Sequence, residues 1–214
     1  LILTNINLKM EFESQKIEQE NLAESSKSYR RERLEQARSV VGILVSSFVL
    51  AFLMLTFVFR TYNVHGSSMR PTLTNGDSVV VNKLAKTKAG DEYTPTRGQI
   101  VVFDSKLEGK SLIKRVIALP GEKISMTNGR FKVVNDRYPN GFDPDASYED
   151  TLPKNDTTTF EEKTIPSGHI FVSGDNRAPS QSLDSRNSLG FVPIDELVGN
   201  AALRYYPLDE GGKL

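Results

Sequence analysis

From residue 39 to 59 the chain reads SVVGILVSSFVLAFLMLTFVF, with no charged side chain between Arg38 and Arg60. About 21 residues make a helix of roughly 32 Å, enough to cross a hydrocarbon core about 30 Å thick. A core helix would keep a polar face, and this stretch has none. It is too long for a cleaved secretory leader, and the charged segment before it is far too long. One transmembrane helix is therefore predicted over 39–59. Residues 1–38 are polar and charged, which predicts a solvated helix or a disordered tail. Beyond residue 60 the pattern changes to short runs rich in Val and Ile: DSVVVNKL, GQIVVFDS, SLIKRVIAL, GRFKVVND, GHIFVSGD and LVGNAALRYYP. Gly, Pro, Asn and Asp punctuate them, so they predict strands, and no long helical period accompanies them. Residues 60–214 are expected to form one all-β domain, with a polar, turn-rich loop or insertion near 136–164.

Charge adds an orientation. Lys27, Arg30, Arg31, Arg33 and Arg38 precede the span, and only Arg60 and Arg70 follow it closely. The positive-inside rule then places the N-terminus in the cytoplasm and the β domain outside the plasma membrane, on a single-pass anchor in contact with lipid. Over the whole chain 27 basic residues balance 27 acidic ones, so no basic excess points to nucleic acid. The chain has no cysteine, which excludes thiol catalysis, disulfides and cysteine-ligated metals. Its two histidines, His65 and His169, are too few for a multi-histidine metal site, and no metal or organic cofactor is expected.

Three polar stretches remain as candidate chemistry. The first, VHGSSMRPTL over 64–73, offers Ser67 and Ser68 just after the span. A serine hydroxyl needs a base to become a nucleophile. His65 is three residues from Ser68 on the same short segment, and His169 sits in a turn, so a Ser-His-Asp triad has no local support. Lysine is the other base. In LIKRVIAL, strand alternation puts Leu112, Lys114, Val116 and Ala118 on one face and Arg115 on the other. A free lysine titrates near 10.4, so neutralising it at pH 7 costs roughly 4.6 kcal/mol. Apolar neighbours supply much of that by desolvating the ammonium. On the pattern alone two readings stand, a general base or an ammonium that snorkels to water. The third stretch, GDNRAPSQSLDSRNSLG over 174–190, is dense in hydrogen-bonding and charged side chains, with Asp184 and Arg186 placed to pair across a turn.

Taken together these stretches resemble the type I signal peptidases, membrane-bound Ser-Lys serine proteases, and the Gram-positive form most in size. SSMRPTL resembles the family's Ser-Met-x-Pro-Thr-Leu box, which makes Ser68 the nucleophile. GDSVVVNK resembles the strand that follows. IKRVIALPGE resembles the box carrying the lysine base, here Lys114. GDNR…SLDSRNSLG resembles the last box. The resemblance implies a signal-peptidase-like β fold and no cofactor. It also implies that Ser182 hydrogen-bonds and orients the lysine amine, with Asp184, Arg186 and Arg115 in support. By the same resemblance Val64, Met69, Leu73, Leu112 and Ile113 line shallow apolar pockets for small residues such as alanine. Gly66 stands where another branch of the family has a helping serine, leaving the Ser68 N–H as the oxyanion donor. The loop after Arg177 departs from the family's usual spacing, being about two residues longer, with Gln181 in place of Asn, and residues 136–164 depart as well.

The expected activity is removal of N-terminal signal peptides from exported preproteins at Ala-x-Ala-like sites outside the membrane. Ser68 lies eight residues beyond Arg60, at most roughly 26–29 Å of extended chain, which keeps the nucleophile near the membrane surface. The main alternative is a non-catalytic, membrane-anchored assembly factor for surface structures, which should lack the serine or the lysine. A self-cleaving repressor would need a DNA-binding helix-turn-helix and no span. A purely structural β domain would lose no catalytic function on removal of Lys114.

Overall fold

A computed structural model of the chain describes residues 2–147, 152 and 157–214. The chain divides into two units, one ending at Leu53 and one running from Met54 to Leu214. The first is helical: α1 spans Ile2–Phe57 without a break. Residues 1–38 contain neither Gly nor Pro and are rich in Glu, Gln, Lys, Arg and Leu, so the polar segment continues the helix. Every side chain from Tyr29 to Met54 is exposed, and the apolar window within that range has a mean hydropathy of 2.0. Such a helix buries its surface only in lipid or against another chain. The helix stops two residues before the end of the predicted span. Phe59 pairs with Asn82 as the first residue of a strand.

The second unit is β-rich. Its strands are β1 Phe59–Asn63, β2 Ser78–Asn82, β3 Ile100–Ser105, β4 Lys110–Ala118, β5 Lys123–Thr127 and β6 Arg130–Asn135. They continue with β7 Tyr138–Phe142, β8 Phe160–Thr164, β9 His169–Ser173, β10 Val192–Pro193, β11 Leu197–Tyr206 and β12 Gly212–Lys213. One sheet has the order β1-β2-β11-β3-β4-β9-β10, with β12 on β11, and the other has the order β7-β6-β5-β8. Neighbouring strands are antiparallel throughout.

All six runs predicted as strands are strands. The β-rich class holds, with one short helix, α2 over Leu84–Ala89, following β2. One expectation is corrected. The stretch expected as a loop near 136–164 holds β7 and β8 at its ends. Tyr138–Phe142 extends the second sheet by pairing with β6, and Phe160–Thr164 pairs with β5. Residues 148–151 and 153–156 of that stretch lie outside the described residues.

Three apolar clusters hold the sheets. Val101, Phe103, Val116, Ile170 and Val172 form one, with Leu112 against it. Val64, Met69, Leu73, Val79, Val81 and Val102 form another, with Ile113 beside it. Ile117, Ala118, Ile124, Phe131 and Phe171 form the third. The register of β4 on β9 slips between Val116 and Ala118. Beyond that bulge Ala118 leaves the side shared by Leu112 and Val116 and joins the third cluster, because an extra residue resets the two-residue alternation.

Candidate active site

The loop between β1 and β2 carries Ser68. Three apolar residues nail it down: Val64, Met69 and Leu73 are buried in the second cluster. Backbone bonds close it, from Val64 N to Asp77 O (2.7 Å), Gly76 N to Val64 O (2.9 Å) and Leu73 N to Met69 O (2.9 Å). Asp77 accepts from the Thr74 amide and hydroxyl at 2.9 Å each and from Arg204 at 3.2 Å. Gly66, at φ 89°, takes the left-handed turn that a side chain would strain, and its N–H donates to Asn75 Oδ1 at 2.9 Å.

Lys114 sits inside β4, opposite Val101 of β3. It is 3% exposed, and its Nζ donates to Ser68 Oγ and to the Ile113 carbonyl, both at 2.8 Å. Burial pushes its ammonium down to about 8; the charges of Asp184 and Asp175 pull it up, and those of Arg186 and Lys110 push it down. The snorkelling reading fails, because the amine ends in the protein on the serine. Neither histidine is hydrogen-bonded to the pair: His65 Nδ1 faces Asn63 O and His169 Nδ1 faces Ser167 O.

Around this pair lie two buried ion pairs. Arg115, opposite Ser173 of β9, reaches the residues just past that strand's end. Its Nε and Nη2 donate to the Asp175 oxygens at 2.7 and 2.6 Å, and Thr72 Oγ1 donates to Asp175 Oδ2 at 2.5 Å. Arg186 Nε and Nη2 bind Asp184 at 3.0 and 2.8 Å, the pairing expected from the sequence. The Gly174 N–H adds a bond of 2.9 Å to Asp184 Oδ2. Burial pushes the Asp184 carboxyl up, but the bonds and charge of Arg186 and the Gly174 amide outweigh it and hold it below its ordinary value.

Ser182 is buried, and its Oγ makes no well-aligned hydrogen bond among the described residues, though it stands near enough to Asp184 to help hold that carboxyl below its ordinary value. The bond to the Lys114 amine that the resemblance implies is not formed. Lys114 spends its donors on Ser68 and Ile113 O instead. Ser182 Oγ lies beside Gly174, where an added Cβ would collide with it and with the Ser68 carbonyl oxygen.

A cavity of about 110 Å³ opens next to Ser68 and Lys114, lined also by Tyr62, Val64, His65, Leu112 and Ile113. Val64, Leu112 and Ile113 thus stand where apolar pocket residues were expected. Met69 and Leu73 do not. They are 1% and 0% exposed in the core beneath the loop, where they hold Ser68 in place. Gly66 does not line the cavity, and its amide is engaged by Asn75. The Ser68 amide donates no hydrogen bond among the described residues. No cluster of His, Asp or Glu suited to a metal occurs among them either.

Sequence reasoning missed Asp175 and Asn176. Asn176 ties the last box to the Ser67–Ser68 backbone: its amide donates to Ser68 O at 3.0 Å and its Nδ2 to Ser67 O at 3.1 Å. The only signal for either was their place in the polar stretch 174–190.

Three comparisons with known proteins bear on the family of the chain. The family described as Signal peptidase, peptidase S26, matches residues 37–206. Signal peptidase I U of Bacillus subtilis (strain 168) is 33% identical over 83% of this chain and 94% of its own length. Signal peptidase I P of Bacillus subtilis subsp. natto is 38% identical over 79% of this chain and 89% of its own. A crystal structure of a signal peptidase I from Enterococcus faecalis V583 is 30% identical, with a TM-score of 0.39, covering 51% of this chain and 98% of that one.

Proposed function

The chain belongs to the signal peptidase family, peptidase S26, and from that premise we propose that its Ser68–Lys114 pair is the machinery that removes signal peptides from exported preproteins. The chain is a serine endopeptidase of that family. The observation that carries the assignment of residues is the 2.8 Å contact between Ser68 Oγ and the nitrogen of a buried lysine titrating near 8. At pH 7 roughly a tenth of such a lysine is neutral, against well under a thousandth of a free one.

The neutral Lys114 amine accepts the Ser68 hydroxyl proton as Oγ bonds to the scissile carbonyl carbon. The carbonyl oxygen becomes an oxyanion, and the Ser68 N–H is the donor available to meet it. As the C–N bond breaks, the Lys114 ammonium returns the proton to the departing amine, leaving an ester on Ser68. Lys114 then takes a proton from water, hydroxide adds to the ester, and the acid is released as Oγ regains its proton. The small cavity beside Ser68, walled by Val64, Leu112 and Ile113, suits an alanine-sized side chain next to the cut. Arg115–Asp175 and Arg186–Asp184 hold the surrounding backbone, and Ser182 packs behind it.

The apolar helix anchors the enzyme in the lipid bilayer. The basic cluster from Lys27 to Arg38 supports an N-terminus in the cytoplasm and a peptidase unit outside the plasma membrane, where signal peptides emerge. Tethering enzyme and substrate to one surface raises their effective concentration. The non-catalytic assembly-factor reading is not favoured, since both reactive side chains are present and in contact. The test is incubation of the detergent-solubilised chain with a preprotein carrying an Ala-x-Ala site, beside folded Ser68→Ala and Lys114→Ala variants. Cleavage after the last alanine, lost in both variants, supports the reading. An inert but folded parent chain overturns it.

A further inference from the structure

The part of the chain expected to be a polar insertion sends one side chain to the back of the active site. Asp145, in the turn after β7, forms a two-pronged ion pair with Arg177: Nη2 donates to Oδ1 at 2.8 Å, and Nη1 donates to Oδ2. Arg177 is 3% exposed, so this pair is shielded from water and geometrically tight. The Asp145 backbone is set by its own turn, with its N–H on Asp143 Oδ1 at 2.9 Å. The guanidinium also lies over the Phe131 ring, 5.1 Å from its centroid.

Arg177 is gripped at two further points. Its Nε donates to Gly174 O at 2.9 Å, and its own carbonyl accepts from Arg186 Nη1 at 3.0 Å. The segment between, Gly174–Arg177, is the strap whose Asn176 holds the carbonyls of both Ser67 and Ser68. A carboxylate in the second sheet's loop is thus joined, through one arginine and one asparagine, to the peptide carrying the nucleophile. Nothing else in the reaction uses Asp145.

We propose that Asp145 is a positioning residue for the reaction, acting through Arg177 to hold the Gly174–Arg177 strap against the Ser68 backbone. The proposal rests on the reading of Ser68 and Lys114 as the reacting pair. Without Asp145 the arginine keeps Gly174 O but loses the anchor that fixes its direction. The strap then loosens, and with it the Ser68 backbone that sets the distance from Oγ to Lys114. Because Asp145 touches no part of the cavity, substrate binding is left nearly intact.

The experiment compares Asp145→Ala and Asp145→Asn with the parent chain, with Ser68→Ala and with Val133→Ala, a core variant that loosens the second sheet without cutting the ion pair. All are assayed for preprotein cleavage and for acylation by a small p-nitrophenyl ester, at a temperature where circular dichroism shows each folded. Asp145→Ala is expected to lower kcat roughly 10- to 100-fold with KM within about twofold, and to slow ester acylation in parallel, as small misplacements of reacting groups do. Asp145→Asn, which keeps the shape and one hydrogen bond, should fall between it and the parent. Val133→Ala should leave kcat within about twofold at the same loss of Tm. Adding Asn176→Ala to Asp145→Ala should cost little more than Asn176→Ala alone, because both act on one strap. A kcat within twofold of the parent, a loss confined to KM, an equal loss in Val133→Ala, or fully additive effects overturns the proposal. If Asp145→Ala does not fold, Asp145→Asn and its pairing with Asn176→Ala decide by the same criteria. An inert parent chain refutes instead the Ser68–Lys114 reading.

Discussion

Lys114 and Arg115 are neighbours on β4, and both are almost wholly buried, at 3% and 6% exposure. Their surroundings differ. Arg115 meets Asp175 with two charge-assisted bonds and gives another to Gly98 O at 2.7 Å. A guanidinium so held stays a cation. Lys114 meets a hydroxyl and a carbonyl, neither of which is charged. Asp175 is engaged by Arg115, and Asp184 by Arg186. Desolvation therefore outweighs attraction at Lys114, and its ammonium falls to about 8. Burial turns a cation into a base only where the nearest opposite charges are already spent on other cations.

The largest effect expected from breaking this contrast is on catalysis. Lys114→Met should cost roughly 10²–10⁴-fold or more in preprotein cleavage, since it deletes the proton acceptor. The same variant should be more stable at pH 7. The folded lysine titrates below its unfolded value, so the penalty for holding it protonated is complete below pH 8 and fades as pH rises toward 10.5. That penalty is on the order of 3 kcal/mol. Thermal melts should show the variant's advantage at pH 6–7 and its disappearance by about pH 10.5. A variant less stable than the parent at pH 7 would contradict the desolvation account.

Next in size is the loss of the paired cation. Arg115→Ala leaves Asp175 buried with Thr72 as its remaining named donor, and should cost about 3–5 kcal/mol in chemical denaturation. Asp175, no longer balanced, pulls harder on the Lys114 proton, so the pH–rate midpoint should move to the alkaline side. In the parent chain kcat/KM should rise about tenfold per pH unit and level off near pH 8. Asp184→Asn should move that midpoint the other way, because it removes the charge that most favours the ammonium. The height of the profile should drop as well, since Arg186 loses its carboxylate partner. The smallest effect belongs to Lys110→Gln. It removes an exposed like charge and should raise the midpoint slightly, an effect that about 1 M salt suppresses.

Much of the site was legible in the chain, and the reasons are local. Apolar neighbours raised a desolvated amine as one of two readings of Lys114, and the spacing of Asp184 and Arg186 across one turn marked their ion pair. The serine-bearing loop announced itself by its polar residues set among Val64, Met69 and Leu73. The family resemblance put Met69 and Leu73 on the cavity wall, whereas they anchor the loop from below. A turn's apolar residues carry no mark of which side of the chain they face. The strap remained hidden, since Asn176 finds Ser67 and Ser68 from the far end of another strand.

Interactions between residues close in sequence are written into the chain: the apolar anchor, six of the strands and the Asp184–Arg186 turn. Period and composition specify these because the groups concerned cannot separate. Contacts between distant segments came from packing alone. Lys114 on Ser68, Arg115 on Asp175, Asn176 on the Ser67 and Ser68 carbonyls and Asp145 on Arg177 belong here. Sheet register, the β4 bulge and the path of the 143–147 turn determine which polar groups meet, and each depends on burying apolar area that no single segment holds.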